Sequence, residues 1–163
     1  MSSGWVVAGT GSNLTKTVEE LLKEKIAAQW AEADPAAAGI EFGTGWALAG
    51  ILKPYAIHCT HVSTASAPAV NGWAKYLFRA LVDVHVFILR TGMSEPAQLR
   101  KMQQEVDRIV AQNRTALGQG ISTARLVSWR KSHDPANLGD QGYWRAIGQH
   151  EMLWYMASSA SSP

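Results

Sequence analysis

Between Phe78 and Ile88 the chain alternates without a break. Phe78, Ala80, Val82, Val84, Val86 and Ile88 are apolar, while the opposite parity carries Arg79, Asp83 and His85. Successive side chains of a strand point to opposite faces, so the pattern predicts one long strand, from about Lys75 to Arg90, with one face in a core. Beyond it the period changes. Leu99, Met102, Val106, Ile109, Val110 and Leu117 recur at spacings of three and four, which predicts an amphipathic helix over Glu95 to Leu117. Ser94 is placed to cap it, Pro96 sits in the first turn where its missing N–H costs nothing, and Gly118 and Gly120 close it.

The flanking segments can be read in the same way. Thr17-Val18-Glu19-Glu20 fits a capping box, and Val18, Leu21, Leu22, Ile26 and Trp30 form the buried stripe of a first helix that Asp34-Pro35 and Gly39 end. From Ile40 to Lys53 Gly43, Gly45 and Gly50, with the preceding Gly39, interrupt short apolar pieces, and a hairpin or irregular loop is expected. Tyr55 to Ser63 alternates as a strand, and Thr64 to Gly72, small and polar with a proline, reads as a mobile loop. Ile121 to Arg130 and Tyr143 to Met156 alternate again around a turn-rich loop. The expected order is helix, strand, strand, helix, strand, strand. Alternation in every strand favours a two-layer α+β domain with a mainly antiparallel sheet and its helices on one face. Residues 1–13, with Trp5-Val6-Val7-Ala8 among Ser and Gly, read as an N-terminal arm whose apolar centre docks on something. Residues 14–157 read as a single domain and 158–163 as a flexible tail.

Composition sharpens this picture. The chain has 163 residues, 47% of them hydrophobic, only 17% charged, and seven are tryptophan. Few charges and many aromatics suit a protein that buries surface against partners. The net charge of +2 is spread along the chain without a run of Lys or Arg, which argues against a dedicated nucleic-acid surface. One cysteine, Cys59, makes no internal disulfide, and the sequence shows neither a signal peptide nor an apolar run of membrane-spanning length. A soluble protein made inside the cell, without membrane contact, is the expectation.

Candidate chemistry is sparse. On a strand, Cys59 and His61 share a face and His58 points away, so His58-Cys59-Thr60-His61 falls short of the three or four ligands that zinc needs. No metal or cofactor is expected. Gly9-Thr10-Gly11 and Gly43-Thr44-Gly45 do not extend into a phosphate loop, and no nucleophile elbow is present. Asp83 and His85 lie two apart on one strand face, where a charge-assisted pair is more natural than an acid–base couple. Cations beside aromatics, as in Trp129-Arg130-Lys131, suit base stacking only in a stronger positive field than this chain provides. The second face of the long strand is more telling. With Asp83 and His85 it holds Leu81, Phe87 and Leu89, too apolar for free solvation, so the first helix, the glycine-rich segment or a neighbouring subunit must cover it.

Three local features together resemble the tail terminator and tail-completion proteins at the neck of long-tailed phages. They are the Arg79-to-Ile88 strand turning directly into the Glu95-to-Leu117 helix, the closing strands Ile121 to Trp129 and Tyr143 to Tyr155 around the polar loop Ser132 to Gly142, and the Thr17-to-Trp30 helix ahead of them. The resemblance covers roughly residues 14–157. It implies a structural, non-enzymatic virion protein, made in the host cytoplasm, that forms a ring of six copies. Such a ring caps the tail tube and joins it to the head–tail connector, with DNA at most passing through the lumen. Leu81, Asp83, His85, Phe87 and Leu89 then become candidate subunit or partner contacts. Asn137 and Asp140, on the polar loop that projects from one end of the sheet, join them. Two other classes remain open: a ferredoxin-like domain binding a small ligand between sheet and helices, and an enzyme without a recognisable motif.

Overall fold

A computed structural model describes residues 16–45, 53–68, 75–90, 92, 94–118, 120–132 and 142–157. Among the described residues five strands make one sheet: β1 (Ile40–Thr44), β2 (Tyr55–Pro68), β3 (Lys75–Leu89), β4 (Ile121–Ser132) and β5 (Tyr143–Ala157). Their spatial order is β1-β2-β3-β5-β4. β1 runs parallel to β2, and the other three pairings are antiparallel. β3 is the centre of the sheet, paired with β2 from Tyr76 to Ile88, with one register shift at His61/Ser63, and in register with β5 along its whole length. The fold is α+β.

The even-numbered residues of β3 behave as their alternation requires: Ala80, Val82, Val84, Val86 and Ile88 are all buried. Two helices lie over them. α1 (Val18–Gln29) starts at Thr17, whose side-chain oxygen accepts a hydrogen bond from the Glu20 amide at 3.3 Å. Its buried residues are Val18, Leu21, Leu22 and Ile26, with Trp30 just beyond. α2 (Ala97–Gln112) buries Leu99, Met102, Val106, Ile109 and Val110 in the same core. A buried carboxylate ties the two together. Glu105 of α2 accepts hydrogen bonds from the Ala31 and Glu32 amides at 2.6 and 3.0 Å, satisfying backbone donors just past the end of α1. Arg108 also holds this carboxylate, and the hydrogen bond from Arg108 is the main reason its pKa lies below the ordinary value, against the opposing effect of burial.

Several expectations change. The order is helix, three strands, helix, two strands, because Ile40–Thr44 pairs with β2 as a parallel edge strand. Five residues containing a glycine are too few to show a period, and the glycine has a packing reason. A Cβ on Gly43 would lie 2.7 Å from the His58 ring across the pair. The expected loop at Thr64 is still strand as far as Pro68, because main-chain pairing with β3 holds Ser63–Pro68 where no hydrophobic alternation marks it. α2 begins at Ala97 with Pro96 as N-cap, and it stops at Gln112. There the Asn113 side chain donates to the Ile109 carbonyl at 2.7 Å and competes with the helix. Leu117 still reaches the core from beyond the helix end. The expected arm 1–13, the tail 158–163 and the centre of the loop after β4 lie outside the described residues.

Gly148 of β5 shows how closely the layers meet. Trp129 of β4 lies opposite it, and a Cβ on Gly148 would come within 2.8 Å of the indole ring. The ring is held in place because its Nε1–H donates to Asp107 of α2 at 2.8 Å. Gly148→Ala should therefore overpack the site and destabilise by about 1–3 kcal/mol, read from the urea midpoint. In a Trp129→Leu background the same substitution should become neutral or slightly stabilising, since alanine costs less chain entropy than glycine. An equal loss in both backgrounds would contradict this contact.

Candidate functional site

Both helices pack on the even face of β3, so neither one covers the odd face. On that face β-pairing sets residues from four strands side by side. Asp83 stands opposite Thr60 on one side and Gln149 on the other, and His85 stands between His58 and Ile147. Glu151 lies opposite Leu81, and β4 adds Arg125 and Arg130. The face is built by register, which is why residues as far apart in the sequence as His58 and Glu151 share it.

Its centre is an aromatic and imidazole band. His85 stacks on Phe87 at 5.9 Å between ring centroids and 11° between planes. His58 and Tyr143 meet Phe87 edge-on, at 6.2 Å each. Around the band, carboxylates meet imidazole and guanidinium groups. His58 Nε2 lies 3.1 Å from Glu41, Arg130 donates to Asp83 at 3.4 Å, and Arg125 donates to Glu151 at 2.9 Å while Arg79 grips its other oxygen. The Arg79 and Arg125 hydrogen bonds pull the Glu151 pKa down, Arg79 most strongly, against burial.

The sequence-derived candidates fall differently on this face. Asp83 and His85 are buried (8% and 3% exposed), Leu81 and Phe87 are half-buried, and Leu89 is 40% exposed. Asn137 and Asp140 lie outside the described residues. The expected charge-assisted Asp83–His85 pair is not what forms. Burial, with Arg145, Arg130 and His58 nearby, lowers the His85 pKa to about 4, so its imidazole is neutral at pH 7, and the carboxylate of Asp83 takes Arg130 as its cation. Glu41, His58, Arg130 and Glu151 were missed. His58 had a signal, since it lies on the parity opposite Cys59; the others became neighbours only through cross-strand register.

Cys59 is buried in the core, where desolvation raises the thiol pKa and makes it a packing residue. His61 shares its parity but is exposed, bonded to Thr64 Oγ1 at 2.6 Å. Among the described residues no three His, Cys, Asp or Glu are grouped to hold a metal ion. Two surface depressions lie elsewhere, one at the start of α2 between Glu95 and Gln104, the other between α1 and Leu117. Among the described residues no helix is long and apolar enough to cross a membrane. No protein-family model matches the chain, and no curated protein matches it. Chemically, the second face offers the neutral imidazole of His85, arginine-held carboxylates and half-buried aromatic edges.

Acid should weaken this arrangement. His150, buried on the other face, also has its pKa lowered to about 4 by burial, although its hydrogen bond to the Gly148 carbonyl opposes the shift. For His85 and His150 the folded pKa lies below the ordinary 6.5, so the unfolded chain binds protons first. Their contribution is complete above pH 6.5 and is lost as pH falls toward 4; for His150 alone this is on the order of 3 kcal/mol. The lowered carboxylates Glu105 and Glu151 act in the same direction at lower pH. Urea midpoints should fall steadily from pH 7.5 to 4.5, with a shallower fall in His150→Leu. An unchanged slope in that variant would contradict the buried neutral imidazole.

Proposed function

We propose that the chain is a structural subunit of a phage neck, assembling into a ring of six copies that caps the tail tube and joins it to the head–tail connector. The reading starts from the long central strand that turns into α2 and from the two closing strands. The observation that carries it is the second face of the sheet. One face is packed under two helices; the other is built of aromatic edges and ion pairs, and neither of the two described helices lies over it. Leu89 and Tyr155 are large, apolar and exposed along its length, 40% and 51% respectively. Such a surface gains most when another protein covers it. Low overall charge and seven tryptophans are in keeping with a heavily buried subunit.

The competing small-ligand reading needs room between helices and sheet. That space is filled by Met102, Ile109, Met152 and Trp154, each fully buried. The proposed role is non-enzymatic: its mechanism is geometric, one ring face copying the contacts of a tube subunit and the other ending the tube.

Electron microscopy of the purified protein, alone and with the tail tube of the particle its genome encodes, tests this. Closed rings, alone or seated on tube ends, are expected. Particles that carry this chain as isolated copies, or tubes of unaltered length in its presence, would contradict it. Replacing Asn137–Asp140 by a short Gly-Ser turn should leave the urea transition unchanged but impair assembly with the tube or connector. Normal infectious particles from that variant would reduce the loop to a simple connection.

A further inference from the structure

Charge is distributed unevenly through the second face. Its carboxylates lie inside: Asp83 and Glu151 are buried, and Glu41 is half-buried. Its exposed charges, among the described residues, are all arginine: Arg79, Arg125 and Arg130. Each arginine–carboxylate pair therefore turns its cation toward solvent. At the end of the face away from Leu89, two of these arginines share one anion. β5 carries Glu151 between β3 and β4, with Arg125 directly opposite on β4 and Arg79 two residues along β3 from the facing Leu81. Arg125 donates through Nε to one carboxylate oxygen at 2.9 Å, and Arg79 donates through Nε to the other.

This geometry leaves the outer end of both side chains unused. A guanidinium group presents its N–H donors in a planar fork. Here Nε is taken on each side, while the terminal Nη nitrogens of both residues donate to no group among the described residues. The two side chains are 50% and 58% exposed, so the forks reach solvent. Glu151 stays ionised, since the arginine hydrogen bonds lower its pKa, and two guanidinium groups against one carboxylate leave the triad cationic. Ordering long side chains at an interface costs rotamer freedom, and folding has already restricted these two. The surroundings favour a protein as partner over a nucleic acid. Leu81 and Leu153 lie half-buried beside the triad, and Tyr155 is exposed two residues beyond Leu153 on the same face. Arginine and tyrosine around an apolar patch is the composition of a protein contact. A phosphate backbone is met by a continuous basic stripe, which a chain of net charge +2 without a run of Lys or Arg does not supply.

We propose that Arg79 and Arg125, held by Glu151, form a clamp for a carboxylate side chain of a partner protein, so that an acidic surface occupies this end of the second face. A carboxylate takes the fork of a guanidinium group in paired, charge-assisted hydrogen bonds, which are shorter and stronger than neutral ones. The proposal deepens the assembly reading and rests on its view of this face as a contact surface. It adds the chemistry that the partner presents: Asp or Glu set among apolar groups.

Titration of the full chain with a capped decapeptide of Glu, Asp and Leu, followed by proton–nitrogen NMR of the arginine side chains, tests this. The Gln and Asn analogue of the peptide and decathymidylate are titrated in parallel. The acidic peptide should move the Arg79 and Arg125 signals to saturation, and the neutral analogue should not. In the double variant Arg79→Lys, Arg125→Lys the ammonium groups keep the charge but offer no fork, so affinity for the acidic peptide should fall about tenfold. Arg125→Lys alone, which leaves Arg79 on Glu151, should lose less, with the amide signals of α2 and central β3 unchanged as the sign of an intact fold. Arginine signals that do not move, or equal affinity in the parent and both variants, would overturn the proposal. So would tighter binding of decathymidylate than of the acidic peptide at the same salt concentration, since a phosphate backbone would then be the ligand. The titration uses the dispersed chain, so a clamp that fails here and a ring that fails to form in the microscope are separate results.

Discussion

Everything in this molecule depends on β3 being paired on both sides at once. Its whole length is in register with β5, and all but its ends are paired with β2, whose one irregularity at His61/Ser63 lies in β2 itself. In such a strand parity cannot drift, because a slip of one residue would exchange every side chain of one face for the other. The dry residues, Ala80 to Ile88, fix which way the sheet faces its helices. The same constraint fixes Leu81, Asp83, His85, Phe87 and Leu89 on the opposite side, beside partners that β2, β4 and β5 carry in.

From this follows the character of the second face. Asp83 and Glu151 are buried carboxylates that would be costly alone, and each is matched to arginine. His58 and His85 sit around the Phe87 ring. The two buried carboxylates are thus matched within the subunit, while aromatic edges and a few exposed apolar side chains face outward. A surface so prepared loses little on being covered, since much of the desolvation has already occurred on folding. The proposed role in assembly rests on this character.

Long periodic segments were legible in the sequence. The β3 alternation and the α1 and α2 stripes name buried residues one by one, because a period of two, or of 3.6, sustained along a whole segment matches the geometry of one kind of element. β1 was lost because it is short and its glycine answers to His58, a residue of another strand. The outer half of β2 was lost for the opposite reason: main-chain pairing with β3 holds Ser63–Pro68, and its side chains carry no pattern. The site was half legible. Parity placed Asp83, His85 and Phe87 together, but Glu41, Arg130 and Glu151 arrive by strand order, which no local pattern encodes. The pairing of Asp83 with Arg130 in place of His85 belongs to the same class.

The central claim is that the two faces of β3 carry different burdens, one holding the fold and the other, in the proposed role, making contact with partners. Urea unfolding of Val84→Asp and Leu89→Asp, five residues apart on opposite faces, tests it most directly. Val84 is completely buried, and an unpaired carboxylate there should abolish the cooperative transition. Leu89 is 40% exposed, and its replacement should leave the midpoint within about 0.5 kcal/mol of the parent. A Leu89→Asp protein as unstable as the Val84→Asp protein would contradict the division of labour on which the account rests.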